Sequence, residues 1–177
     1  MSFPGDSTWV ISSGDGGTFP LFVRDALGID TPAAGAVPPL VPPVPPYTET
    51  LIQPGIVEDW DRWWRDSVMM GFGREPLGLP DELRAAYRRW LDAAGPESLA
   101  RRDQLRVSFT SWVQEVVADL EREQGYRPLF RLEVFQVPVE GQFWQRLTKD
   151  RVLVSEELML SRNVIAPLES VIRDLAR

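Results

Sequence analysis

Carboxylates, arginines and hydroxyls are the side chains that could do chemistry in this chain, because its 177 residues contain neither histidine nor cysteine. The triplet Gly5-Asp6-Ser7 could present a nucleophilic serine, but such a serine needs an imidazole to accept its proton. Disulfides, thiolate metal ligands and cysteine nucleophiles are excluded in the same way. We therefore predict no catalytic residue and no cofactor.

Three groups of carboxylates are the candidates for an all-oxygen metal site, which would favour Mg²⁺, Mn²⁺ or Ca²⁺. They are Asp59 with Asp61, Glu115 with Asp119 and Glu123, and Glu156 with Glu157. The members of the second group are four residues apart and share one helix face. We interpret these groups as solvated surface and predict no metal ligand. The alternative is a Mg²⁺-dependent hydrolase or transferase that uses Glu115, Asp119, Arg84 and Arg88.

Six arginines between residues 84 and 106 form the basic concentration of the chain, and acidic residues are interleaved among them. Arg84, Arg88 and Arg102 are the candidate anion-binding residues, and a second alternative function is nucleotide or nucleic-acid binding through this patch. The net charge of −7 and the pI near 4.7 disfavour nucleic acid as a partner, since phosphate backbones require a cationic surface.

Aromatic and proline residues carry the interaction that we favour. Trp60, Trp63 and Trp64 share one helix face, and the stretch 32–46 before them holds seven prolines. Proline removes backbone donors, so this stretch should form neither helix nor sheet interior. We expect an extended polyproline II arm, about 28 Å long over residues 38–46. Core packing alone would explain the shared Trp face. The two interaction alternatives are that the arm covers the Trp face or that it enters an aromatic groove of a partner.

Hydrophobic periodicity predicts the regular elements. Helices are expected from Val57 to Gly71, from Asp81 to Ala94 and from about residue 97 to 124, followed by strands at 130–139, 143–147 and 152–154. Leu158 and Leu160 are candidates to continue the third strand. A last helix covers about residues 163–176. Near the start, residues 8–11 predict a strand, 12–17 a hairpin turn, and 19–27 a second strand or a helical turn.

Runs of helices followed by runs of strands predict an α+β fold. We expect three helices packed on a small antiparallel meander with a C-terminal helix, preceded by the proline-rich arm. The predicted division is an arm with one short hairpin or strand over residues 1–55 and a single α+β domain over 56–177. We expect that residues 32–47 can be deleted with little effect on the thermal transition.

These features favour a non-enzymatic protein-interaction module, such as an adaptor, an assembly factor or a small acidic chaperone-like protein. Its predicted partner-binding residues are Pro42, Pro45, Tyr47, Trp60, Trp63 and Trp64. The partner is another protein, and a second copy of this chain is an alternative. The chain has neither a signal-peptide pattern at its start nor a long apolar run, so we expect a cytoplasmic protein without membrane contact.

Overall fold

The computed structural model describes residues 9–15, 17–48, 54–70, 75–93 and 95–176 of the chain. The elements run in the order β1 (Trp9–Asp15), α1 (Thr18–Leu27), α2 (Pro32–Gly35), α3 (Pro54–Met70), α4 (Asp81–Ala93), α5 (Gly95–Gln124), β2 (Phe130–Val137), β3 (Trp144–Arg146), β4 (Arg151–Ser155), α6 (Glu156–Leu160), a 3-10 helix (Arg162–Val164) and α7 (Ile165–Leu175). No helix within these ranges is long and apolar enough to cross a membrane.

The described residues pack as two compact units. The aromatic unit comprises Asp15–Leu99 with Val137–Glu140, and the sheet unit comprises the described residues of Met1–Gly14, Ala100–Gln136 and Gly141–Arg177. The predicted division at residue 55 differs from this one, because the proline-rich stretch lies inside the aromatic unit. Its residues Ala34, Val37 and Leu40 are each at most 4% exposed. They belong to a core and not to an appended arm.

The sheet unit is built on an aliphatic core. Leu105, Phe109, Val113, Val116 and Leu120 form the buried stripe of α5 that periodicity predicted. This stripe packs in one cluster with buried side chains of β2, β4 and α7. Burial of such side chains contributes about 1.5–3 kcal/mol each, which makes this cluster the main source of stability in the unit.

The α+β class is confirmed, and the sheet has the strand order β1-β2-β4-β3. The sheet is mixed, and β4 lies between β2 and β3, whereas a meander would pair the strands in sequence order. Strands β3 and β4 are antiparallel, with Gln145 opposite Leu153. Sequence periodicity assigns the buried face of each strand, but it does not determine which neighbour a strand pairs with.

The change of phase in the β2 region coincides with the division of the chain. Leu132 and Val134 are fully buried in the core of the sheet unit. Val137 and Val139, in the opposite phase, are buried too, but they belong to the aromatic unit. The residues of the first phase therefore contribute to the core of the sheet unit, and those of the second phase are buried in the aromatic unit.

The start of the chain differs from the predicted hairpin. Strand β1 extends to Asp15, so residues 12–15 do not form the predicted turn. The next described element is helix α1, which confirms the helical alternative for residues 19–27. Gly17 precedes this helix with φ of +72°, a conformation that favours glycine. A Cβ atom at Gly17 would lie 3.1 Å from the Trp64 ring. Glycine at this position therefore permits a close approach to α3.

The continuation of the third strand through Leu158 and Leu160 is wrong, because Ser155 ends β4 and caps helix α6. The Ser155 Oγ accepts hydrogen bonds from the backbone N–H of Leu158 (3.3 Å) and of Phe143 (2.9 Å). A serine followed by two glutamates in the first turn is a helix-start pattern. The neighbouring apolar residues of β4 masked that pattern in the sequence.

The proline-rich stretch is more structured than a free polyproline II rod. Pro32 begins the short helix α2, where it is tolerated because a first-turn residue needs no donor. Leu40 forms an isolated antiparallel bridge with Val139, and the chain bends at Val41 and Pro42. The residues between the prolines retain their N–H groups, and these make the sheet-like contacts.

Candidate functional site

Residues 38–47, here called the proline segment, are fixed to the aromatic unit near both ends. The backbone N–H of Val41 donates to the Pro138 carbonyl at 2.8 Å, and that of Glu140 donates to the Pro39 carbonyl at 2.9 Å. Near the other end, the N–H of Tyr47 donates to the Ala26 carbonyl of α1 at 2.8 Å. The segment therefore has a defined path although it contains no helix or strand.

Arg24 on α1 satisfies the carbonyl groups at the start of the segment. Its side chain is almost fully buried, and Nη1 donates to the carbonyls of Ala34 (3.0 Å) and Val37 (2.6 Å). Nη2 donates to the Pro38 carbonyl at 2.8 Å. A planar guanidinium with five N–H donors suits such a convergence of acceptors. Arg24 thereby joins α1 to the beginning of the proline segment.

Asp25 completes this buried group. One carboxylate oxygen accepts from Nε of Arg24 at 2.7 Å, and the other accepts from the backbone N–H of Leu40 at 2.8 Å. The carboxylate thus offsets the buried positive charge and satisfies a further backbone donor. A buried ion pair is stable only when such additional hydrogen bonds are present.

Two tryptophans supply further donors to carbonyls that belong to proline residues. The Nε1–H of Trp60 donates to the Pro20 carbonyl at 2.7 Å, and that of Trp90 donates to the Pro42 carbonyl at 3.0 Å. Proline contributes a carbonyl but no N–H, so a proline-rich chain has an excess of backbone acceptors. Indole is a donor only, and Trp90 corrects this imbalance at Pro42, whereas Pro20 lies in helix α1.

The outer side of the proline segment is exposed and apolar. Pro42, Pro43, Pro45 and Pro46 are all exposed, and Val41 is 47% exposed. We call residues 41–46 the proline ridge. Two of the predicted partner-binding residues, Pro42 and Pro45, lie on this ridge, and Tyr47 is half-buried next to it. The arrangement offers a protein surface of pyrrolidine rings whose backbone is already held in place.

The inner side of the segment borders a cavity of about 540 Å³, here called the proline cavity. Four ridge prolines form one wall together with Tyr47 and Thr48. The other walls are formed by Phe22 and Ala26 of α1 and by a stripe of α4 residues. That stripe consists of Glu82, Leu83, Ala86, Arg89, Trp90 and Ala93.

The predicted Trp face lies in the core and not on a surface. Trp60, Trp63 and Trp64 are 0%, 3% and 6% exposed. Trp60 stacks on Trp64 with ring centroids 6.0 Å apart, and Trp63 packs edge-on against Phe19 at 5.4 Å. These three indoles cannot contact a partner in this conformation. The helical spacing that suggested a shared face is therefore explained by core packing.

The three predicted anion-binding arginines have different surroundings. Arg84 forms ion pairs with Glu75 and Asp81, and the hydrogen bond to Glu75 raises its pKa. Arg88 is exposed on α4, and the side chain of Arg102 lies outside the described part of the chain. Arg84 is therefore already neutralised by its own neighbours.

The row of carboxylates on α5 is paired with arginines. Glu115 accepts from Arg162 at 2.7 Å, Asp119 from Arg122 at 2.9 Å, and Glu123 from Arg173. Within the described ranges, no group of three or more carboxylates is placed to hold a metal ion. These pairs relieve the repulsion that like charges at four-residue spacing would produce. The triplet Gly5-Asp6-Ser7 lies outside the described residues.

Arg24 and Trp90 are the residues of this site that sequence reasoning missed. Arg24-Asp25 interrupts an apolar run, with Leu21, Phe22 and Val23 before it and Ala26 after it. A charged pair inside the apolar face of a helix indicates a buried, hydrogen-bonded group, because charged residues are rarely buried unpaired. That signal was present in the sequence. The pairing of Trp90 with Pro42 had no local signal.

Comparison of the chain with protein-family models, with curated proteins and with solved structures gave no match.

Proposed function

We propose that this protein is a protein-interaction module, and that the proline ridge is the surface that its partner recognises. The observation that carries the proposal is an exposed row of prolines whose backbone is fixed by hydrogen bonds near both ends. The partner would present a groove lined by aromatic side chains, since such grooves bind extended proline segments.

The fixed backbone supports this proposal energetically. Binding normally costs about 0.5–1.5 kcal/mol for each flexible side chain that becomes ordered, and loop ordering adds to that cost. Proline rings have little conformational freedom to lose, and the hydrogen bonds of Val41 and Tyr47 already hold the main chain. The exposed pyrrolidine rings can therefore transfer apolar surface from water to the partner at small entropic cost.

The surface differs from the one predicted from sequence. Pro42 and Pro45 remain in the proposed interface, whereas Trp60, Trp63 and Trp64 act through the core that supports it. Deletion of residues 32–47 would not test the proposal, because it would remove buried core residues and the acceptors of Arg24. Point substitutions on the exposed ridge test the proposal without unfolding the unit.

The test compares two exposed prolines of the same unit. Pro45→Glu places a charge on the ridge, and Pro32→Glu places the same charge at the first position of α2, where an acidic residue is well tolerated. Tagged wild-type and variant proteins are incubated with extract of the source cells, and bound proteins are quantified by mass spectrometry. We expect at least one partner to be lost about tenfold or more with Pro45→Glu, as for an interface hot spot.

The matched variant decides the outcome. Pro32→Glu should retain the partner, and both variants should keep the thermal transition of the wild type, because exposed substitutions usually change stability by about 0.5 kcal/mol or less. A photo-crosslinking residue at position 43 should give an adduct with the same partner, and one at position 32 should not. Equal retention of all partners by the two variants would contradict the proposal.

A further inference from the structure

The proline cavity has the size of a small-molecule site. Its volume of about 540 Å³ lies within the range of about 300–1,000 Å³ that is typical of ligand pockets. The cavity is bordered by groups that are held in place. The indole N–H of Trp90 donates to the Pro42 carbonyl, and the backbone N–H of Tyr47 donates to the Ala26 carbonyl. Walls of this kind need little reorganisation when a ligand enters.

The lining of the cavity favours a ligand with an apolar body. Phe22, Leu83 and Trp90 are at most 9% exposed and line the cavity together with ridge prolines. The indole N–H of Trp90 is already used by the Pro42 carbonyl, so the indole offers its ring surface. Planar and aliphatic groups pack well against such rings. A ring or a short hydrocarbon chain therefore fits this lining.

Arg89 dictates the polar end of the ligand. It lines the cavity and is exposed, and it forms no ion pair with any described residue. Arg84, five residues earlier on the same helix, is by contrast paired with Glu75 and Asp81. A guanidinium with no carboxylate partner in the described part of the chain, at the edge of an apolar cavity, is suited to bind the carboxylate of a ligand.

Glu82, which also lines the cavity, repels a carboxylate bound at Arg89 only weakly. It lies seven residues before Arg89 on α4, which corresponds to about 10 Å along the helix axis. This distance exceeds the Debye length of about 8 Å at physiological ionic strength. A carboxylate bound at Arg89 is therefore attracted by the adjacent guanidinium more strongly than it is repelled by Glu82.

We propose that the proline cavity binds a small carboxylic acid with an apolar ring or short-chain body, whose carboxylate pairs with Arg89. The body lies against Trp90 and Phe22. This inference does not rest on the proposed protein partner, because it depends on Arg89 and on the cavity between the proline segment and α4. The ridge prolines border that cavity and are exposed as well.

Three probes of equal body size test the charge preference: 4-phenylbutyrate, 4-phenylbutan-1-ol and 4-phenylbutylamine. Binding is followed by NMR titration of the Trp90 indole N–H resonance. We expect the carboxylate to bind about tenfold more tightly than the alcohol, which corresponds to about 1.4 kcal/mol, and the amine to bind least. No binding of the carboxylate up to its solubility limit, equal affinities, or a preference for the amine would each overturn the proposal.

Two substitutions in the cavity lining and one control test where the ligand binds. Arg89→Gln should reduce the affinity for the carboxylate about tenfold and leave that for the alcohol unchanged, whereas Arg65→Gln, the same charge change on exposed α3 surface, should alter neither. Ala86→Leu should narrow the cavity and weaken binding of all probes. Because Arg89 is exposed, its variant should fold normally. Unchanged carboxylate binding in Arg89→Gln would overturn the proposal even if Ala86→Leu failed to fold.

Discussion

The two units of this protein satisfy their polar groups in different ways. In the aromatic unit, the buried side chains of Arg24 and Trp90 donate to carbonyls of an irregular, proline-rich chain. In the sheet unit, regular elements pair most backbone groups, and arginines such as Arg162 and Arg173 form ion pairs at the surface. Arg24 thus has a structural role in the aromatic unit, whereas Arg162 and Arg173 have peripheral roles in the sheet unit.

Proline content accounts for this difference. A segment with many prolines cannot balance its own donors and acceptors, so donors must come from side chains that reach the segment through the core. Those side chains become essential to the fold. A surface ion pair, in contrast, replaces water on both partners and contributes about 0–1 kcal/mol. The loss in the free energy of unfolding caused by a mutation should therefore depend on the unit in which the residue lies and on the burial of the group that is removed.

The largest effect is expected from Arg24→Met. The substitution keeps an apolar stem of similar length but leaves Asp25 without its cation and removes the donors to three carbonyls. Breaking a buried pair by removal of one partner costs about 3–5 kcal/mol. Urea unfolding followed by tryptophan fluorescence measures the change in the free energy of unfolding.

The matched control is Arg65→Met on the exposed surface of α3, in the same unit. It makes the same chemical change and should alter stability by about 0.5 kcal/mol or less. If Arg24→Met and Arg65→Met had the same effect, the contrast between buried and surface arginines would be wrong.

A smaller effect is expected from Ser155→Ala in the sheet unit. Ser155 is fully buried, and its Oγ is the acceptor for the N–H groups of Phe143 and Leu158. Leaving a buried donor unsatisfied costs about 1–3 kcal/mol, and loss of a helix N-cap costs about 1 kcal/mol. Because the cap bond and the lost acceptor of Leu158 are the same hydrogen bond, the two costs overlap. We expect a loss of about 1–3 kcal/mol in total by denaturant unfolding.

Ser170→Ala on the exposed face of α7 serves as the reference for Ser155→Ala, because alanine is a better helix former than serine. This reference should be neutral or slightly stabilising. Equal stabilities of the two alanine variants would show that the Ser155 hydroxyl does not stabilise the fold. The backbone hydrogen bonds of the helices and strands would then account for the stability of the sheet unit without it.

Regular elements were the predictable part of the fold. Helices α3, α4 and α5 and the strands β2, β3 and β4 follow from the spacing of apolar residues, since a buried face repeats with the period of its element. The end of α3 at Gly71 lies outside the described residues. The strand order and the two units were not predictable, because periodicity records which face is buried but not against what.

The candidate site was predictable only in part. The proline stretch was identified, and Pro42 and Pro45 are on its exposed ridge. Its packing was missed because local rules treat proline as a residue that cannot pair, whereas Leu40, Val41 and Tyr47 pair with distant parts of the same unit. The Trp residues were misassigned to a surface for a related reason. Helical spacing is the same whether a stripe faces a core or a partner.

The smallest effect is expected at the surface pair of Glu123 and Arg173. The hydrogen bond from Arg173 lowers the pKa of the Glu123 carboxyl below its ordinary value, and the positive charge of Arg173 acts in the same direction. A carboxyl whose pKa is lowered in the folded state stabilises the fold above its unfolded-state pKa. That contribution disappears as the pH falls through the folded-state value, so it is constant at neutral pH and absent in strong acid.

Carbon-13 NMR titration of the Glu123 carboxyl measures this pKa directly. Arg173→Gln should raise it to the ordinary value, and 1 M salt should raise it in the wild type, because the Debye length falls to about 3 Å. Arg122→Gln is the control, since Arg122 pairs with Asp119 and not with Glu123, and it should leave the midpoint unchanged. If the Glu123 carboxyl of the wild type titrated at its ordinary pKa, the ion pair with Arg173 would not be formed in solution. A loss of stability in Arg173→Gln as large as that in Arg24→Met would end the distinction between the two units.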